Sequence, residues 1–482
     1  MAPARNESTP KKALVFLPAP GIGHLVSVME FAKRLIERDD SFSITMLLMS
    51  PPFAHNVTTY VEKLSVSHPE FQFLGLPSVT PPPLEDVLAC PEHFVSVFIA
   101  DHKTHVKDLI VNHVLSNKSV KLAGLVLDLF CTAFVDVAKD LGVPSYIFFA
   151  SGAAFLGSML YLPDRFDNGG ITYKPTDPDS LIPSYINPVP SSVLPTLLFH
   201  EGGYSTFVGH ARKFKEAKGI IVNTFAELES HAVNYLKGES SVPPVYTVGP
   251  VVDHKGNSPV ADGNQRDEIL TYLDAQPEKS VVFLCFGSQG SFGVPQLKEI
   301  ALGLEQSGQR FLWSIRRPPS TESLNPSEVN DFSELLPEGF LERTKDVGLV
   351  CGWAPQVEVL AHKATGAFVS HCGWNSILES TWYGVPIVTW PLYGEQQINA
   401  FQLVKDAGVA VEVRMDYRKD TSDVVKAEQV AKAVKDVIEG ASEVKSKVKA
   451  MSEIGRKALL EGGSSFVAFE TLVGVLSGNS KA

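Results

Sequence analysis

At 482 residues the chain is longer than a usual single domain, which predicts two. Its 44% hydrophobic and 20% charged residues describe an ordinary globular protein, and a formal net charge of −12 argues against nucleic acid or an anionic membrane as a partner. Five cysteines, scattered and without a CxxC pair, fit a reduced, cytoplasmic compartment.

The polar opening MAPARNESTPKK leads into an apolar run, residues 13–17, too short for a signal-peptide core. No apolar stretch approaches the length of a membrane span. Residues 13–17 read instead as a buried strand, followed by a tight turn over 18–23, then His24, a helix over 25–38 and a second strand over 42–48. This βαβ opening predicts a parallel, doubly wound sheet. Gly21 and Gly23 suggest a dinucleotide fingerprint, but Val26 stands where its third glycine belongs and no acidic residue closes the second strand.

What the turn does supply is a histidine at a strand's carboxyl end. Residues 124–127 form another strand-like run, with Asp128 at its carboxyl end. In a parallel sheet both side chains project from one edge. A carboxylate bonded to one imidazole nitrogen leaves the other free to take a proton. The plainer readings are a helix-capping or buried His24, and an Asp128 that caps a helix from Thr132 onward. Segments 51–120 and 151–215 contain Pro- and Gly-rich irregular loops, where specificity usually resides. The Asp177-Pro178-Asp179 triplet lies in one of these with no strand before it, so it reads as a solvated turn, and no metal site is expected.

Residues 253–265, rich in Asp, Gly, Asn and Pro, read as an interdomain linker. They divide the chain into domains 1–252 and 266–482. A second βαβ array starts with a strand over 281–286, a small-residue loop 287–290 carrying Ser288, and a helix from Pro295. Strands over 311–315 and 348–351 follow. Residues 367–370 form a further strand, then the turn His371–Ser376, then a helix over 375–383. Strand, glycine turn and helix N-terminus offer free N–H groups to an anion, a phosphate or diphosphate. Trp353 and Gln356, three apart, would share a helical face and suit a flat heterocycle beside a sugar. Glu379, one turn past Asn375, suits ribose hydroxyls, and the adjacent Glu395 and Gln396 suit those of a sugar. Together these parts make a nucleotide sugar. Helical patterns follow over 396–406, 426–439, 442–460 and 466–476.

Residues 353–396 closely resemble the signature box of plant family 1 UDP-glycosyltransferases, the secondary-product enzymes, with Gly394 where many relatives carry Ala. The resemblance spans essentially the whole chain. It implies an α/β GT-B fold of two Rossmann-like domains facing across a cleft, with the last helix able to cross back onto the first. It places uracil on Trp353 beside Ala354, ribose on Gln356 and Glu379, and the diphosphate on His371, Asn375 and Ser376. Trp374, Glu395 and Gln396 would contact the sugar; Ser288, by its place at a strand end, is a further candidate for the donor phosphate or sugar. A terminal Gln suggests glucose over galactose.

The resemblance also puts His24 and Asp128 on the family's base and its orienting acid. It implies an inverting UDP-glucose-dependent O-glucosyltransferase acting on a small lipophilic acceptor: a flavonoid, another phenolic or a triterpenoid. Phe130, Phe155, Phe199 and Tyr393 are the candidates for the acceptor pocket. UDP-glucose is the donor substrate, with no further cofactor and no metal, and a monomer is expected. The rival readings are a nucleotide-sugar epimerase, which needs no acceptor, and a UDP-sugar sensor, which has no use for a positioned base.

Overall fold

The protein was described from a computed structural model covering residues 10–50, 55–80, 91–170, 172–254, 263–319, 326–329, 331–419 and 421–478. Two parallel sheets organise it. The first holds β1 (Lys11–Leu17), β2 (Phe42–Leu48), β3 (Phe71–Gly75), β4 (Val120–Asp128), β5 (Ser145–Phe149), β6 (Gly219–Val222) and β7 (Val245–Thr247), in the order β3-β2-β1-β4-β5-β6-β7. The second holds β8 (Val281–Cys285), β9 (Arg310–Ser314), β10 (Gly348–Cys351), β11 (Thr365–Ser370), β12 (Ile387–Thr389) and β13 (Ala410–Glu412), in the order β10-β9-β8-β11-β12-β13. Each is a doubly wound, Rossmann-like sheet, as the βαβ pattern predicts.

The central strands are apolar throughout because helices cover both faces. In β1, Leu14 and Phe16 feed one core layer while Ala13, Val15 and Leu17 feed the other. In β8, Val282 and Leu284 face one layer and Val281, Phe283 and Cys285 the opposite one. The strand order reverses between β1 and β4 and again between β8 and β11. Ligands of such sheets bind outside the carboxyl ends at these points. Leu17 pairs with Leu127 and Cys285 with Ser370, so each pair of strands ends level.

The segments read as irregular hold substantial helices: His55–Ser67, Pro91–Ala100, Ala153–Asp167 and Glu201–Phe214. The third of these is buried almost all round its first two turns and contains Pro163, so it shows no amphipathic stripe to read. The last helix, Ser464–Leu476, packs on the first sheet's side. Its Leu472, Val475 and Leu476 share a core with Leu14, Phe16 and Phe31, and Arg38 pairs with Glu470. Most of the expected linker, residues 255–262, lies outside the described residues. Among the described residues no helix is long and apolar enough to cross a membrane.

Candidate active site

β1 ends in Pro18-Ala19-Pro20, and the following helix runs Ile22–Arg38, so it begins three residues earlier than the sequence pattern indicates. Gly21 takes the N-cap position, and His24 therefore stands in the first helical turn rather than before it. Asp128 closes β4, fully buried, with one oxygen accepting from the Phe130 N–H at 3.1 Å. Its other oxygen lies 2.8 Å from His24 Nδ1. It does not cap the turn at Thr132, where Cys131 holds the N-cap position. Burial pulls the His24 imidazole down, but the charge and hydrogen bond of Asp128, with help from Glu395, hold it above its ordinary 6.5. An Nδ1–H donated to Asp128 leaves Nε2 able to accept a proton. Phe130 lies edge-on to the imidazole, its ring centroid 5.6 Å away.

Across the cleft, β11 ends at Ser370 and the helix Trp374–Tyr383 starts after Gly373, with no side chain capping its first N–H groups. Between them Cys372 sits in the left-handed region at φ 62°, its carbonyl held by Asn399 Nδ2 at 3.1 Å. The buried His371 ring fills the space beside two glycines. A Cβ on Gly287 would lie 2.8 Å, and one on Gly373 2.6 Å, from its Nε2. Gly287 also has φ +75°, which a side chain would strain. Burial pushes His371 down to about 4, so its ring is neutral and not a cation. Exposed Ser288 follows Gly287 at the end of β8.

Gln356 Nε2 donates to Ser376 Oγ at 2.8 Å and to Glu379 Oε2 at 2.6 Å, so the expected ribose and phosphate groups form one cluster. Trp353 does not share a helical turn with Gln356. Pro355 keeps Ala354 out of the helix, which starts at Gln356. The Ala354 side chain is packed in the second core, leaving only its backbone for a ligand.

Several expected contacts fall elsewhere. The Trp374 indole is buried, donates from Nε1 to the Asn223 carbonyl at 2.7 Å, and presses on Gly152. Its side chain bridges the two lobes. Asn375 also reaches across: its Nδ2 donates to the Gly23 carbonyl at 3.3 Å and its oxygen accepts from Ser27 Oγ at 3.0 Å. The Gln396 amide oxygen accepts from the Leu392 and Tyr393 N–H groups at 2.9 and 3.1 Å, and its side chain also bonds that of Tyr393, so it shapes the loop. Glu395 is half-buried beside the cleft, and burial raises its carboxyl. Phe155 is 5% exposed, packed against Phe149 and Phe207, and is a core residue. Phe199 is half-buried under Arg418, and Tyr393 is exposed. Asp177 caps its own turn, accepting from the Lys174 N–H at 2.9 Å. Among the described residues no group of three His, Cys, Asp or Glu is placed to hold a metal ion.

Glu229 was not foreseen from its neighbours in the chain. Its buried carboxylate accepts from the Ala153 and Ala154 N–H groups at 2.8 and 2.9 Å and from Gln402 Nε2 of the other lobe at 2.9 Å. These partners lie 76, 75 and 173 residues away, and no local pattern announces them.

Two doubly wound lobes, one carrying the His24–Asp128 pair and the other an uncapped helix N-terminus, form the GT-B arrangement of glycosyltransferases. The chain belongs to the UDP-glycosyltransferases: the family model described as "UDP-glucoronosyl and UDP-glucosyl transferase" matches residues 244–459. UDP-glycosyltransferase 71K1 of Malus domestica is 49% identical over 465 residues, covering 95% of this chain and 97% of that one. UDP-glucose flavonoid 3-O-glucosyltransferase 6 of Fragaria ananassa is 47% identical over 475 residues, 95% and 97% of the two chains. The crystal structure of Medicago truncatula UGT71G1 complexed with UDP-glucose superposes with a TM-score of 0.89 at 45% identity, covering 97% and 99%. The epimerase and sensor readings are not favoured.

Proposed function

We propose that the protein transfers glucose from UDP-glucose, with inversion, to a hydroxyl of a small lipophilic phenolic such as a flavonoid. The observation that carries this reading is the 2.8 Å contact of His24 with Asp128 on a helix tied by Asn375 to the opposite phosphate-type turn. His24 Nε2 takes the acceptor proton as its oxygen attacks the anomeric carbon. Asp128 stabilises the imidazolium that results. The N-terminus of the helix Trp374–Tyr383 and the His371 N–H meet the charge growing on the departing UDP. Trp353 and the Ala354 backbone take the uracil, Gln356 and Glu379 the ribose, Ser288 and Ser376 the phosphates, and Glu395 and Gln396 the glucose. Phe130, Phe199 and Tyr393 line the acceptor side. The division into an acceptor lobe, residues 1–252, and a donor lobe, residues 266–482, belongs to this proposal, as do the monomeric state and the cytoplasmic location. Incubation with UDP-glucose and a panel of plant phenolics and triterpenes, with mass detection, tests it. Absence of any glucoside would overturn it.

In a competition between UDP-glucose and UDP-galactose, glucose is expected to dominate the product. A preference for galactose would remove Gln396 as a reader of the sugar.

Burial pushes the Glu379 carboxyl up to about 7, against the opposing pull of the Gln356 amide. Above that pH it is ionised and accepts ribose hydroxyls more strongly, since charge-assisted hydrogen bonds are about twice as strong as neutral ones. UDP-glucose has no proton to lose in this range. Its affinity, measured calorimetrically, is therefore expected to rise roughly fivefold between about pH 6 and pH 8. Glu379→Gln should flatten the profile. A flat profile in the unaltered protein would place Glu379 away from the ribose.

A further inference from the structure

The loop after β13 touches both halves of the cleft. Gln397 Nε2 donates to the Tyr417 carbonyl at 2.8 Å, the Lys419 N–H donates to the Leu392 carbonyl at 3.0 Å, and Lys419 Nζ reaches Ser291 Oγ at 3.0 Å. These contacts fix residues 417–419 against the loop that carries Tyr393, Glu395 and Gln396. Between them Arg418 points the other way, into the first lobe. Its Nη1 donates to Thr196 Oγ1 at 2.5 Å, and its Nη2 to the carbonyls of Ser192 and Leu194 at 2.8 and 2.6 Å. The guanidinium carbon also stands 5.2 Å from the centre of the Phe199 ring. These three bonds all go to residues 192–196 of the opposite lobe.

That turn leads directly into the helix Glu201–Phe214. The helix carries Phe207 and His210, whose rings lie 6.4 and 6.0 Å from Phe130, which in turn abuts His24. The wall beside the base is thus continuous with the turn that Arg418 grips. We propose that Arg418 is a positioning residue that sets acceptor fit: it holds the wall of residues 191–199 in register with the sugar-facing loop of the donor lobe. The proposal rests on the transferase reading above. A planar fork reaches three acceptors and covers an aromatic face at once, which an ammonium group does not.

The test compares Arg418→Ala and Arg418→Lys with the unaltered enzyme. Acceptor KM and kcat are measured over a series of phenols of increasing size, UDP affinity by calorimetry, and amide hydrogen exchange by peptide. Arg418→Ala is expected to raise acceptor KM roughly tenfold or more for the larger phenols, with UDP affinity kept within about twofold. Exchange should quicken over residues 191–199 and stay unchanged over 365–383. Lysine should not restore the acceptor KM. Unchanged acceptor KM across the series, rescue by lysine, or a parallel loss of UDP affinity would each overturn the proposal. If the unaltered protein glucosylates no phenol, the transferase reading fails, and unchanged exchange over 191–199 in Arg418→Ala would still count separately against the clamp.

Discussion

Replacing His24 with alanine is expected to lower turnover on aliphatic hydroxyls by about 10²–10⁴, the usual worth of a positioned general base. UDP affinity should be unchanged, because the phosphate-type turn and His371 lie on the other lobe. The loss should be smaller with an acidic phenol, whose proton needs less help to leave. The pH profile carries a second signature. The base must be neutral, and Asp128 holds the imidazole above 6.5, so the acid limb of kcat/KM should fall above that pH. Asp128→Asn removes the charge that favours the imidazolium. It should therefore move the limb to lower pH while lowering the plateau. Near-normal turnover in His24→Ala would take this residue out of the chemistry.

Trp374→Ala is expected to destabilise the protein by about 3–5 kcal/mol, the usual cost of truncating a buried tryptophan. The indole is 3% exposed and wedged between the lobes, against Gly152 and beneath the Asn223 carbonyl. Trp374→Phe keeps most of the volume but leaves that carbonyl without its donor, at a cost of about 1–3 kcal/mol. Denaturant midpoints measure both. Turnover should fall with them, since Trp374 is the first residue of the helix proposed to face the diphosphate. A Trp374→Phe protein of unaltered stability that loses only its discrimination among UDP-sugars would return the indole to the sugar site.

The lobes are joined by more than this side chain. Glu229 accepts from Gln402, Asp406 accepts from the Ile186 and Asn187 N–H groups at 3.1 and 3.2 Å, and Asn375 spans to Gly23. The side chain of Asn375 joins the start of the phosphate-facing helix to the residue before His24. That contact ties the helix carrying His24 to the start of the opposite helix.

The amino-acid sequence by itself determined the two doubly wound sheets, because a buried parallel strand and the turn behind it are written in consecutive residues. It likewise marked His24 and Asp128, each at the end of an apolar run, and the uncapped turn before Trp374. Only the tertiary structure decided which way the Trp374 indole and the Asn375 amide point, that Trp353 stands outside the helix, and that Phe155 is core. It alone brought in Glu229 and Arg418. Those contacts join residues 151, 173 and 226 positions apart, and their energies depend on what the opposite lobe presents at that spot. A local pattern records whether a side chain is buried. It does not record which distant carbonyl will meet it there.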